Sequence, residues 1–147
     1  MKEQLPKHLR NLSLTEQVKV ILECVPTLEG KLQDYCDLGE CSPADALLEV
    51  LKFMSLLGNG YILTPSIRVD DAWHQFILHT VIYHEYCTKC YDKYLHHTPS
   101  NDTLGNDRQF EQTIALYREK YGQPPAWFWG LHWQVSISGD CSACELN

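Results

Sequence analysis

A mainly α fold, a single compact helical domain over residues 1–147, is the class this sequence predicts. Three observations carry that expectation. Apolar residues recur at three- and four-residue steps through four separate stretches, and a capping residue stands near the start of each. Strict apolar-polar alternation is confined to one short run, Trp133, Val135 and Ile137. A small β-hairpin, or an extended C-terminal arm laid on the core, is the one departure from helix that the pattern leaves open.

The elements follow in chain order. Ser13-Leu-Thr-Glu16 is a capping-box pattern, in which the serine accepts from the backbone three residues on while Glu16 reaches back. Leu14, Val18, Ile21, Leu22 and Val25 then keep helical spacing until Pro26 stops the run. Residues 28–38 form a weaker, shorter helix candidate. Ser42-Pro43 places a capping residue before a proline at the first helical position, and Leu47, Leu51, Met54 and Leu57 follow until Gly58-Asn-Gly60 ends the helix. Residues 61–66 read as extended, and 61–64 with 133–138 would be the two strands of the hairpin. A new helix then starts with a cap near Asp70, and a last long one enters near Asp107 with Phe110, Ile114, Tyr117 and Tyr121 on one face. Gly122 and Pro124-Pro125 terminate it. Residues 126–147 make a tail rich in tryptophan and cysteine.

Composition narrows the function. In 147 residues, 44% hydrophobic and 11% aromatic side chains suffice for one core. A net charge of −7 without any lysine- or arginine-rich block argues against a nucleic-acid partner. The charged, proline-containing stretch MKEQLPKHLRNL is unlike a secretion signal, and nowhere do about 18 apolar residues follow one another, so the expectation is a cytoplasmic protein without a membrane partner. Phosphate loop, dinucleotide fingerprint, HExxH and serine elbow are all absent from the sequence. Seven cysteines, an odd number in a chain read as non-exported, are expected to be reduced thiols, buried or metal-bound.

The stretch VDDAWHQFILHTVIYHEYC, residues 69–87, concentrates the chemistry. Read as one helix, it sets Trp73, Phe76, Thr80, Tyr83, Cys87 and Cys90 along a core stripe. Asp70, His74 and, further along, His84 share an adjoining stripe, while His79 points elsewhere. A carboxylate four residues before an imidazole has two chemical uses: it fixes the ring tautomer by a hydrogen bond, or both groups bind a metal. The competing reading is that Asp70 caps the helix and His74 bonds a backbone carbonyl. His96-His97-Thr-Pro99 supplies a further imidazole, and in an extended segment only one of that pair faces the site.

The cysteine pairs Cys87/Cys90 and Cys141/Cys144 have CxxC spacing. The first lies on the core stripe, where a thiol packs as a small apolar group. The second sits in a Gly/Asp/Ser context that suits metal or redox chemistry, and the two together would make a four-cysteine zinc site only if the fold brought them close.

The layout Val69-Asp70-x-x-Trp73-His74, Thr80-x-x-Tyr83-x-x-x-Cys87 and His96-His97-x-Pro99 resembles the glycine-rich-domain-containing-protein-like family, a domain of unknown function. Tyr121-Gly122 and Pro124-Pro125-x-Trp127 extend the likeness over about residues 45–130. The resemblance implies that Asp70, Trp73, His74, Tyr83, Cys87 and His97 belong to a family pattern, and it implies no activity.

Two functions are thus expected to compete. One is a metal-binding helical domain with His74 and one of His96 or His97 as ligands, Asp70 as ligand or orienting carboxylate, His84 in reserve, and zinc as the default ion with iron as the alternative. The other is a metal-free module that binds another protein through its aromatic-rich C-terminal segment, Trp127, Trp129 and Trp133.

Overall fold

Two helices of the computed structural model, which describes residues 4–36, 41–98 and 102–130, start where the capping chemistry puts them, after Ser13 and after Ser42. Among the described residues a 3₁₀ turn at Leu9–Asn11 precedes seven helices: α1 (Leu14–Cys24), α2 (Pro26–Cys36), α3 (Pro43–Leu57), α4 (Ile67–Leu78), α5 (Thr80–Tyr91), α6 (Thr103–Tyr121) and α7 (Ala126–Trp129). No strand occurs among the described residues, and the fold is mainly α.

Ser13 and Glu16 form the expected box: the Glu16 backbone N–H donates to Ser13 Oγ at 3.2 Å. Pro26 both stops α1 and opens α2, since a proline costs nothing at the first helical position. Ser42 caps α3 by accepting from the Asp45 N–H at 3.1 Å.

Four expectations are corrected. The helix carrying Asp70 starts at Ile67, and its cap is Ser66, whose hydroxyl oxygen accepts from the Val69 N–H at 3.2 Å. Residues 69–90 are not one helix: His79 interrupts them, its Nδ1 lying 2.7 Å from the Gln75 carbonyl oxygen while its N–H bonds Phe76 three residues back. That competition for carbonyls near the end of α4 tightens the last turn, and α5 restarts with a new register. The last long helix enters at Asp102, which accepts from the Gly105 N–H at 2.9 Å, so Asp107 lies inside α6. Finally, residues 61–64 adopt no strand, and their expected hairpin partner, 133–138, falls outside the described residues.

The chain divides into two compact units. The first comprises residues 1–51 and 72–95. Its polar centre is buried Gln17, whose amide donates to the carbonyls of Leu9 and Leu12 at 3.1 Å each and accepts from the Tyr86 hydroxyl at 2.7 Å. Phe76 lies edge-on to Tyr83 with 5.0 Å between ring centroids, and Ile21, Leu28, Leu32, Leu47 and Val50 are fully buried. Arg10 ties the 3₁₀ turn to the end of α5, pairing with Asp92 at 2.7 Å and donating to the Lys89 carbonyl at 3.1 Å.

The second unit comprises residues 52–71 and 96–147. Trp129 is its hub, with ring centroids at 5.3 Å from Tyr117, 6.3 Å from Phe53 and 6.4 Å from Phe110. The stretch before α4 is held by side chains of α6: Thr113 donates to the Thr64 carbonyl and Thr64 to Gln109, both at 2.9 Å. Arg68 lies over Trp127, 3.8 Å from the ring centroid, and donates to the Trp127 carbonyl at 3.0 Å.

Ser66 has no exposed surface and also donates to the Phe128 carbonyl at 2.6 Å. Ser66→Ala therefore removes a cap and strands a buried acceptor together, and is expected to cost about 1–3 kcal/mol in urea or thermal unfolding. A cost below about 0.5 kcal/mol would contradict this account of the cap.

Candidate metal centre

Starting α4 at Ile67 puts Asp70 in the first turn with its backbone N–H already bonded to the Ser66 carbonyl at 2.8 Å. The cap of α4 is therefore Ser66 and not Asp70. One turn on, along the same helical face, stands His74. The third group comes from residues 94–98, which belong to no helix or strand. Along that segment burial alternates, with Leu95 buried, His96 exposed, His97 half-buried and Thr98 exposed, the period of an extended chain. It is therefore His97, and not His96, that lies against Asp70: His97 Nε2 is 2.8 Å from Asp70 Oδ1.

Asp70 and His97 both belong to the second unit, and His74 is fixed to Asp70 by the turn of α4 that joins them. Asp70, His74 and His97 each present one ligand-type atom, all within 4.8 Å of one another. Asp70 is almost wholly buried, its side chain 5% exposed and that of His97 15%. At 2.8 Å, Nε2 of His97 is within ion-pair distance of Asp70 Oδ1.

The other candidates stand apart. His84 is exposed on α5 beside the Tyr94 ring, 5.9 Å between centroids, because the break at His79 removes it from the stripe of Asp70 and His74. Cys87 is buried and Cys90 half-buried on α5. Cys141 and Cys144 lie outside the described residues. Cys36 and Cys41 form a disulfide with their Cα atoms 5.2 Å apart, a correction to the expectation of reduced thiols throughout. A five-residue separation between the end of α2 and the entry to α3 carried no CxxC signal.

Electrostatics follow from burial. The Asp71 carboxyl, although partly in solvent, is pushed up to about 6, first by burial and then by the charge of Asp70. Burial pushes the Tyr83 phenol above its ordinary range, so that it stays protonated, and the neighbouring Cys87 thiol adds to that effect. Cys87 is itself raised by burial, against opposing hydrogen bonds with the Leu95 backbone and Tyr83. Tyr83 accepts from Trp73 Nε1 at 3.1 Å and donates to the Leu95 carbonyl at 2.5 Å. Periodicity put Trp73, Tyr83 and Cys87 on a core face and said nothing of this polar link.

The donor set fits a metal ion. Ligand atoms on one tetrahedral ion with bonds of about 2.0–2.1 Å stand about 3.3 Å apart. A cluster with one pair at 2.8 Å and every atom within 4.8 Å brackets that separation.

A family model described as UCP032817-like matches residues 28–120, well over half of the chain and the whole interval from Asp70 to His97. That match supports a domain of unknown function and gives no support to the glycine-rich-domain naming. No curated protein and no solved structure matches the chain.

The Cys90 thiol is pushed up to about 11, chiefly by burial. At pH 8 about one such thiol in a thousand is ionised, so iodoacetamide should modify Cys90 far more slowly than an ordinary exposed thiol of pKa near 8.5. The rate should rise roughly tenfold per pH unit up to about 11, or jump on denaturation; fast labelling of native protein at pH 7 would refute it.

Proposed function

The chain belongs to the UCP032817-like family, which is uncharacterised and supplies no activity to carry over, so we propose a function from the site itself: Asp70, His74 and His97 bind one divalent metal ion. The observation that carries this reading is the convergence of two imidazoles on the one buried carboxylate of Asp70. Burying an ionised carboxylate is costly unless an opposite charge compensates it. An imidazole does so only when protonated, whereas a divalent cation does so whenever the carboxylate is ionised.

One carboxylate with two imidazoles is a donor set used for zinc and for non-haem iron, so zinc is the default ion and iron the alternative. Three protein ligands would leave a coordination position for water or substrate. Bound zinc would supply a Lewis acid for hydrolysis, and bound iron would supply oxidative chemistry.

The 2.8 Å contact of His97 with Asp70 also favours a second reading, in which the pair simply fastens residues 94–98 to α4 without metal. The interaction-module version of that reading draws little from the described aromatic tail. Phe128 and Trp129 are buried, and Trp127 is covered by Arg68.

Elemental analysis of protein purified without added metal or a histidine tag decides between them. The expected result is about one equivalent of zinc or iron, lost in His74→Ala and His97→Ala but kept in His84→Ala and His96→Ala. Zinc at 100 times its Kd should stabilise the parent by about 2.7 kcal/mol, a rise in Tm of roughly 5–10 °C for a chain of this size. A parent that takes up no metal and melts at the same temperature with zinc and with EDTA would sink the reading.

A further inference from the structure

Residues 94–98 have neither helix nor strand bonds to hold them, yet they carry His97. An extended segment keeps its place only if its backbone polar groups find partners. Tyr83, fully buried on α5, reaches this segment with its hydroxyl and donates to the Leu95 carbonyl at 2.5 Å. The same oxygen accepts from Trp73 Nε1 at 3.1 Å, so the phenol is oriented from one side and spends its proton on the other. Trp73 is the immediate neighbour of His74 on α4. Leu95 and His97 are two residues apart in an extended chain, so they lie on the same side of it, and fixing one fixes the direction of the other. The Tyr83 ring is also packed, edge-on against both Phe76 at 5.0 Å and Tyr94 at 5.3 Å, which leaves its hydroxyl little freedom.

We propose that Tyr83 is a positioning residue for the metal site: its hydroxyl, held by Trp73, locks Leu95 and thereby aims His97 at the place already faced by Asp70 and His74. The inference rests on the metal reading above and adds to it the device that sets the site's affinity. It also gives one physical purpose to residues that share no chemistry, since Trp73 and Tyr83 form the brace while Asp70, His74 and His97 are the ligands it serves.

The test is a zinc titration against a chromophoric chelator with the full chain, comparing the parent, Tyr83→Phe and Ile21→Val, the last a fully buried position far along the sequence from this brace. Tyr83→Phe keeps the ring and removes only the hydroxyl, and zinc affinity should fall about 10- to 100-fold, the usual loss when a group that orients a ligand is removed. Ile21→Val should lower the melting temperature without weakening zinc. Cobalt bound to Tyr83→Phe should also show an altered visible absorption, which a loss of stability alone does not produce. Equal affinity in Tyr83→Phe and the parent overturns the proposal and leaves the metal reading standing. Equal weakening in both variants overturns it as well, since Tyr83 would then act only through stability. A parent that binds no zinc overturns the metal reading and this proposal together. Should Tyr83→Phe fail to fold, Trp73→Phe carries the test: a several-fold loss of affinity supports the brace, and none refutes it.

Discussion

One hydroxyl sets the frame on which the site is built. Ser66 accepts from the first turn of α4 and donates to the Phe128 carbonyl, so a single buried side chain decides where the helix begins and ties that beginning to α7. Had α4 begun at Asp70, the carboxylate would have been spent on backbone N–H groups. Because it begins at Ile67, Asp70 stands inside the first turn and not at the cap, with its carboxylate against His97, and His74 follows one turn later at a separation fixed by helix geometry.

The helical fold was legible wherever a local signal stood alone. Ser13 with Glu16, and Ser42 with Pro43, had no competitor nearby, and the structure uses both. Around α4 two capping residues compete, Ser66 and Asp70, and local chemistry favours neither. The choice falls to a partner 62 residues away, the Phe128 carbonyl, which no window on the sequence contains. The break at His79 was invisible for a related reason: neither glycine nor proline marks it, and it rests on an imidazole competing for the Gln75 carbonyl. The disulfide between Cys36 and Cys41 depends on their Cα atoms coming within 5.2 Å, a distance that periodicity does not describe.

For the candidate site, spacing brought Asp70 and His74 together because a helix makes that relation local. It also limited the His96-His97 pair to one inward member, while the identity of that member depended on the register of an extended segment. Register there follows from the Tyr83 hydroxyl and the burial of Leu95, both set by tertiary packing. His84 shows the reverse case. It seemed to share a stripe with His74 only because the helix was assumed to continue, and the new register of α5 leaves it beside Tyr94 instead.

The division of the chain into two units bears on how the protein is made. Each unit is assembled from two separated stretches, and the three crossings fall inside α3, after Leu51, inside α4, after Asp71, and between α5 and α6, after Leu95. During synthesis, residues 52–71 leave the ribosome long before the α6 and α7 side chains that hold them, Thr113, Tyr117 and Trp129 among them. Residues 1–51 likewise wait for 72–95. Contacts of such long sequence separation raise the contact order, and with it the loop-closure entropy that must be met before they form, so folding here is not purely local helix formation.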